Sequence, residues 1–171
     1  MPAISLKEFF DKNHIQGYRN AITAFVLKDR NSNEVLMAYL IGKAFFGNGK
    51  YDAEIIRGAC KLNHVVIGGA SKLWRAITDY YNTHNLNNDN GQVNSIVYYV
   101  DRNLYNGSSM RFLPNVTRLR RQHGFWNFFL DTKELKNRNP KKHKEICQMI
   151  EEGKVLIIGN AGTEVNVWHR E

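Results

Sequence analysis

The sequence predicts a mixed α/β fold built as one domain. Apolar, partly β-branched runs at Ala21 to Leu27, Val35 to Ile41, Ala53 to Ala59 and Ile96 to Val100 have strand character. Between the third and fourth lies a stripe at helical spacing, Leu73, Trp74, Ile77, Tyr80 and Tyr81, preceded by a glycine pair. A length of 171 residues with 43% hydrophobic content suffices for one self-supporting core, and no internal repeat or interdomain linker interrupts it.

Each element has a local reason. Ser5-Leu6-Lys7-Glu8 has the form of a capping box, Ser5 accepting from the backbone near Glu8 while Glu8 reaches back, and it predicts a short helix to about Asn13 with Leu6, Phe9 and Phe10 inward. His14-Ile15-Gln16-Gly17-Tyr18 is a turn in which His14 and Gln16 either touch a ligand or tie down the chain. The turn cluster Asp29-Arg30-Asn31-Ser32-Asn33 joins the first two strands as an antiparallel hairpin. Gly42 to Asp52, with Phe45 and Phe46 embedded, predicts a loop into the third strand, where Arg57 is either a salt-bridged strand residue or a ligand contact.

The third strand leads to Val65-Val66-Ile67-Gly68-Gly69-Ala70-Ser71-Lys72, an apolar run joined to the helix through two glycines. Adjacent glycines let the backbone turn where a side chain would clash, and a following helix presents unpaired N–H groups and the positive end of its dipole, which suits a phosphate. Ser71 is the expected N-cap. The Asn-rich stretch from Asn82 to Asn94 has loop composition, and the fourth strand ends at Asp101-Arg102. A carboxylate at the carboxyl end of a central strand is placed for chemistry, or it starts a turn.

Arg111, Arg118, Arg120 and Arg121 then crowd one segment, followed by a strand at Phe125 to Leu130 and by Lys133, Lys136 and Arg138. Asn139-Pro140 predicts a helix start with Ile146, Met149 and Ile150 inward and Gly153 as its stop. Strands at Val155 to Ile158 and Glu164 to Trp168, separated by Gly159-Asn160-Ala161-Gly162, predict a terminal hairpin.

Charge and composition narrow the partners. A net charge of +8 with 12% aromatic residues favours a polyanion such as nucleic acid over an acidic small molecule. Arginine forks bind phosphate bidentately, and Trp126 and Phe128 offer rings for exposed bases, although a solvated charged face has the same composition. The absence of a long apolar stretch and of signal-peptide blocks in MPAISLKEFF predicts a soluble, intracellular protein without membrane association. Cys60 and Cys147, far apart and without nearby histidine clusters, predict buried free thiols and no structural metal. The chain contains no G-x-S-x-G elbow, no G-K-[ST] P-loop and no H-E-x-x-H, nor paired carboxylates with the lysine of a metal nuclease.

Four blocks carry a resemblance: Phe10-Asp11-Lys12-Asn13-His14-Ile15-Gln16-Gly17, Glu54-Ile55-Ile56-Arg57, Val66-Ile67-Gly68-Gly69-Ala70-Ser71-Lys72-Leu73, and Val97-Tyr98-Tyr99-Val100-Asp101-Arg102 followed by Gly107. Together with the closing Ile157-Ile158-Gly159-Asn160-Ala161-Gly162 they resemble a phage-encoded domain found at the C-terminus of phage-associated homing endonucleases and in stand-alone proteins. More distantly the layout is similar to the GNAT acyltransferase superfamily and its phage Mom-type DNA modification proteins. The resemblance implies a mixed, mostly antiparallel central sheet flanked by helices, in a phage protein working in the host bacterial cytoplasm. It implies that Gly68, Gly69, Ala70, Ser71 and Lys72 bind the phosphates of acetyl-CoA or a related acyl-CoA, with Asp101 near the splayed strands where acyl group and acceptor meet. Asp101 or His14 would then be the general base, with Arg57, Arg102, Arg111, Arg118, Arg120, Arg121, Lys133, Lys136 and Arg138 contacting DNA. The chain departs from the pattern after Gly107: Met110 and Pro114-Asn115 stand where the family carries a tyrosine and a Gly-Phe pair. Three activities are compatible with this reading: transfer onto a DNA base or base-attached group, DNA binding without chemistry, and acetylation of a host defence protein.

Overall fold

The computed structural model describes residues 1–45, 49–83, 92–103, 113–137 and 143–170. Met110, Arg111, Arg138 and the Asn139-Pro140 helix start lie outside the described residues. A 3-10 turn (Ala3–Leu6) is followed by α1 (Lys7–Asn13), β1 (Thr23–Lys28), β2 (Val35–Lys43), β3 (Ala53–Cys60), α2 (Gly69–Thr83) and β4 (Ser95–Asp101). Then come β5 (Val116–Phe129), β6 (Glu134–Asn137), α3 (His143–Glu151) and β7 (Val155–His169). The mixed α/β expectation holds. The chain divides into two compact units, the first comprising Met1–Tyr99, Ser108–Leu119 and Asn166–Glu171, the second Val100–Gly107 and Arg120–Val165.

In the first unit the sheet runs β1-β2-β3-β4. The predicted hairpin is present: β1 and β2 pair antiparallel from Thr23↔Ile41 to Lys28↔Val35. Its turn is fixed by Asp29, whose Oδ1 accepts the N–H groups of Asn31 and Ser32 at 2.9 and 2.8 Å. β2 pairs antiparallel with β3, with a bulge between Leu40↔Arg57 and Ile41↔Ile55. β3 and β4 pair in parallel from Ala53↔Ile96 to Ile55↔Tyr98, so the connection through α2 is a crossover.

Strand alternation divides this sheet into two apolar faces. Ala24, Ala38, Leu40 and Ala59 pack with Ala3, Leu6 and Phe10 beneath α1. The opposite face meets α2, where Phe25 lies edge-on to Tyr80 at 5.5 Å and Trp74 edge-on to Tyr98 at 5.4 Å. Leu73, Trp74, Ile77 and Tyr81 are buried as the stripe predicts, whereas Tyr80 is partly exposed at the end of that stripe.

The predicted capping box does not form. Helix α1 starts two residues later than Ser5, at Lys7, and the Ser5 hydroxyl donates to the Pro2 carbonyl at 2.7 Å inside the 3-10 turn. Backbone pairing of this segment with β1, Ala24 N–H to Met1 O at 3.0 Å, holds the chain in that tighter path.

In the second unit β5 lies between β7 and β6, with β6 antiparallel to β5 from Trp126↔Asn137 to Phe129↔Glu134. Helix α3 ends as predicted at Gly153, which has φ +68°. Its N–H donates to the Ile150 carbonyl at 3.0 Å and that of Lys154 to Met149 at 2.8 Å, the double bond of a Schellman cap. On this helix Ile146 is buried and Met149 half-buried, but Ile150 is partly exposed.

Two expectations about strands fail here. The terminal hairpin is a single 15-residue strand, β7. The strand expected at Phe125 extends back to Val116 and includes Arg118, Arg120 and Arg121. Cys60 and Cys147 are free thiols but only half-buried. Among the described residues no helix is long and apolar enough to cross a membrane, and no group of three or more His, Cys, Asp or Glu is placed to hold a metal ion.

Candidate functional site

The glycine turn is built, but differently from the expected strand–turn–helix. Val65 and Ile67 belong to no strand and are 88% and 92% exposed. The Gly69 N–H donates to Val66 O at 2.9 Å and the Lys72 N–H to Gly68 O at 3.0 Å, so the helix begins at Gly69 with Gly68 preceding it. Ser71 is therefore inside the first turn rather than at the N-cap. The two glycines do different work. Gly68 has φ +69°, which favours glycine, and nothing lies within 4 Å of where a Cβ would sit, so the backbone there is open to approach. Gly69 is buried, and a Cβ on it would stand 2.8 Å from Met37 Sδ and Val66 Cγ1. Ala70, Ser71 and Lys72 form the first helical turn, with Ser71 and Lys72 exposed.

The two candidate bases have different surroundings and fall in different units. Asp101 ends β4, and its Oδ1 accepts both the backbone N–H and the side-chain amide of Asn103 at 2.8 Å. That is an Asx turn, the structural alternative open in the sequence. The same turn holds β7: Asn103 Oδ1 accepts Ala161 N–H at 2.9 Å and the Arg102 N–H donates to Gly162 O at 2.9 Å. Arg102 also donates its Nη1 to Ala161 O at 3.2 Å, which commits it to the main chain.

His14 caps the C-terminus of α1 and is half-buried. Burial lowers its pKa below the ordinary value, and the Arg57 charge lowers it further. Its Nδ1 accepts the Gln16 N–H at 3.1 Å, which sets the neutral Nε2–H tautomer. Gln16 is thus part of the turn through its backbone. Asn13, the preceding residue, accepts the Leu62 N–H at 2.7 Å and ties the end of α1 to the connection that leads into the glycine turn.

Arg57 brings in residues that the sequence did not single out. Its Nη1 donates to Ile56 O at 2.8 Å, while its buried Nε has no hydrogen-bond partner among the described residues. Burial lowers its pKa, Arg19 lowers it further by like-charge repulsion, and Glu54 opposes them. Arg19 also lies over the Phe45 ring, 4.9 Å from its centroid. No local motif marks this cluster. Arg19 lies in the segment before β1, and strand pairing alone brings it towards β3.

The remaining basic residues differ in their surroundings. Arg118 and Arg120 occupy alternate, exposed positions of β5. Arg121 Nε pairs at 3.3 Å with Glu164 Oε2, whose residue is 0% exposed. Lys133 sits in the β5–β6 turn with φ +54°, and Lys136 pairs with Glu134 at 2.5 Å. No protein-family model matches the chain, and no curated protein matches it significantly.

Proposed function

We propose that the protein is a GNAT-like transferase of phage type that modifies DNA, a base or a group attached to one, with an acyl-CoA-type donor. The observation that carries the reading is the β3–α2–β4 parallel crossover entered through Gly68, whose backbone is open on the side a Cβ would occupy. A phosphate there would meet the first-turn N–H groups of α2, the helix dipole and the charge of Lys72. His14 is the better supported base of the two. Burial and Arg57 favour its neutral form, which could take a proton from an acceptor amine at Nδ1 once that atom releases the Gln16 N–H, whereas Asp101 serves a turn. Arg118 and Arg120 supply backbone contacts to DNA, and the target base would leave the stack to react.

Binding and chemistry test this separately. Acetyl-CoA should bind saturably, and Gly68→Asp should abolish binding by charge repulsion while Gly68→Asn, which tolerates the same backbone, retains it. No binding at millimolar donor would overturn the transferase reading. Mass spectrometry of nucleosides from DNA co-expressed with the protein should show an added mass that is lost in His14→Gln.

The Asx turn at Asp101 favours a second reading, a DNA-binding module that keeps the fold without the chemistry. Unmodified nucleosides together with salt-dependent DNA binding would select it.

A further inference from the structure

A cleft of about 350 Å³ in the first unit lies away from the glycine turn, at the opposite end of β3. Its walls include Arg19 and Ile22 from the approach to β1, Gly42, Lys43 and Phe45 at and beyond the end of β2, and Glu54 near the start of β3. Gly42 keeps the floor low, since a Cβ on it would stand 2.6 Å from Ile56 Cδ1. Two cations, Arg19 and Lys43, and one carboxylate, Glu54, line it, and the charge of Arg57 acts on Arg19 and Glu54 from outside the lining. That carboxylate is already engaged, because buried Glu54 accepts the Phe45 N–H through Oε2 at 2.8 Å and so fixes the Phe45 backbone. Among the described residues, neither Arg19 nor Lys43 forms an ion pair.

Such an arrangement costs stability unless something answers it. Arg19 and Arg57 repel one another, and the buried Arg57 Nε–H is unpaired among the described residues, at a price normally avoided in folded proteins. An anion in the cleft would be attracted by both lining cations, Arg19 and Lys43. Phe45 adds a second kind of recognition: its residue is 67% exposed, with the Arg19 guanidinium over the ring. A flat aromatic group can stack on such a pair by the sequence-tolerant contact that aromatic side chains and arginine offer to bases.

We propose that this cleft binds a nucleoside phosphate, the phosphate between Arg19 and Lys43 and the base against Phe45. The phosphate and base can belong to a free nucleotide or to a nucleic-acid strand. The site uses neither the glycine turn nor group transfer, so it stands or falls independently of the proposed reaction.

Calorimetric titration with thymidine 5′-monophosphate, thymidine, inorganic phosphate and a short thymidine oligonucleotide tests it. The monophosphate should bind more tightly than either thymidine or phosphate alone. Arg19→Gln and Lys43→Gln should each weaken it about tenfold, the loss of one charge-assisted contact. Phe45→Ala should weaken the nucleotide and leave inorganic phosphate unchanged. All three side chains are on the surface of the cleft, and the thermal midpoint of each variant verifies folding. Oligonucleotide binding that is lost in the same variants assigns the site to a strand, and mononucleotide binding alone assigns it to a free nucleotide. Absence of mononucleotide and oligonucleotide binding at millimolar concentration, or binding indifferent to all three substitutions, would overturn the proposal. An acetyl-CoA titration unaffected by Arg19→Gln would show that the two sites are separate.

Discussion

Glu164 shows how a single residue constrains its neighbours. A carboxylate with no solvent exposure keeps its charge only with a partner, and Arg121 reaches it at 3.3 Å from β5. Arg121→Ala should therefore cost about 2 kcal/mol, less than a wholly buried pair because the arginine is partly exposed. Denaturant unfolding measures this, and Glu164→Gln in the same chain should recover part of the loss. The same pairing explains why a run of arginines in sequence is not a uniform binding surface. His14 makes the second prediction. Its folded pKa is depressed by burial and then by Arg57, so the unfolded chain binds the proton more readily. Its contribution to stability is complete above the ordinary histidine value of about 6.5 and is lost as pH falls below it towards the folded value. Thermal midpoints from pH 7.5 to pH 5 should fall less steeply in His14→Gln than in the parent. Tyr81 acts at the other extreme: burial, with a smaller effect of Tyr80, pushes its pKa up to about 12. Stability from its neutral form is present below pH 10 and is lost as pH rises towards 12, so Tyr81→Phe should unfold later in an alkaline titration.

At the scale of an element, the two ends of helices marked by glycine invite comparison. Gly68 before α2 and Gly153 after α3 both have positive φ with open space around the missing Cβ. Alanine at either position should cost about 1 kcal/mol through backbone strain alone. Gly69→Ala differs because its Cβ meets Met37 and Val66, so its cost depends on how far the flexible methionine yields. Denaturation of the three variants separates strain from crowding. These glycines were legible because a helix start and stop are local events. The 15-residue β7 was not: Gly159-Asn160-Ala161-Gly162 has turn composition, yet Ala161 and Gly162 are held in strand by Asn103 and Arg102. Partners nearly sixty residues away override a local preference that short peptides would express.

Across the molecule, the charge of +8 sets an expectation about salt. If DNA is the partner, log Kobs should fall linearly with log salt, and replacing Arg118 and Arg120 should reduce the slope by about 2. Arg121→Ala should leave the slope nearly unchanged, because that arginine answers Glu164. A slope indifferent to Arg118 and Arg120 would remove β5 from the interface.

The sequence alone determined the mixed α/β class, the β1–β2 hairpin, the buried stripe of α2, the end of α3 and the positions of the glycines. These follow from periodicities of two and 3.6 and from residues whose backbone preferences act within one turn. Tertiary structure decided which charges are spent and which gather. It spent Asp101 on a turn, Arg102 on carbonyls and Arg121 on a buried carboxylate, and it drew Arg19, Lys43 and Glu54 around one cleft. Electrostatic partners are chosen by distance in space, and strand pairing sets that distance between residues whose separation along the chain carries no periodic mark.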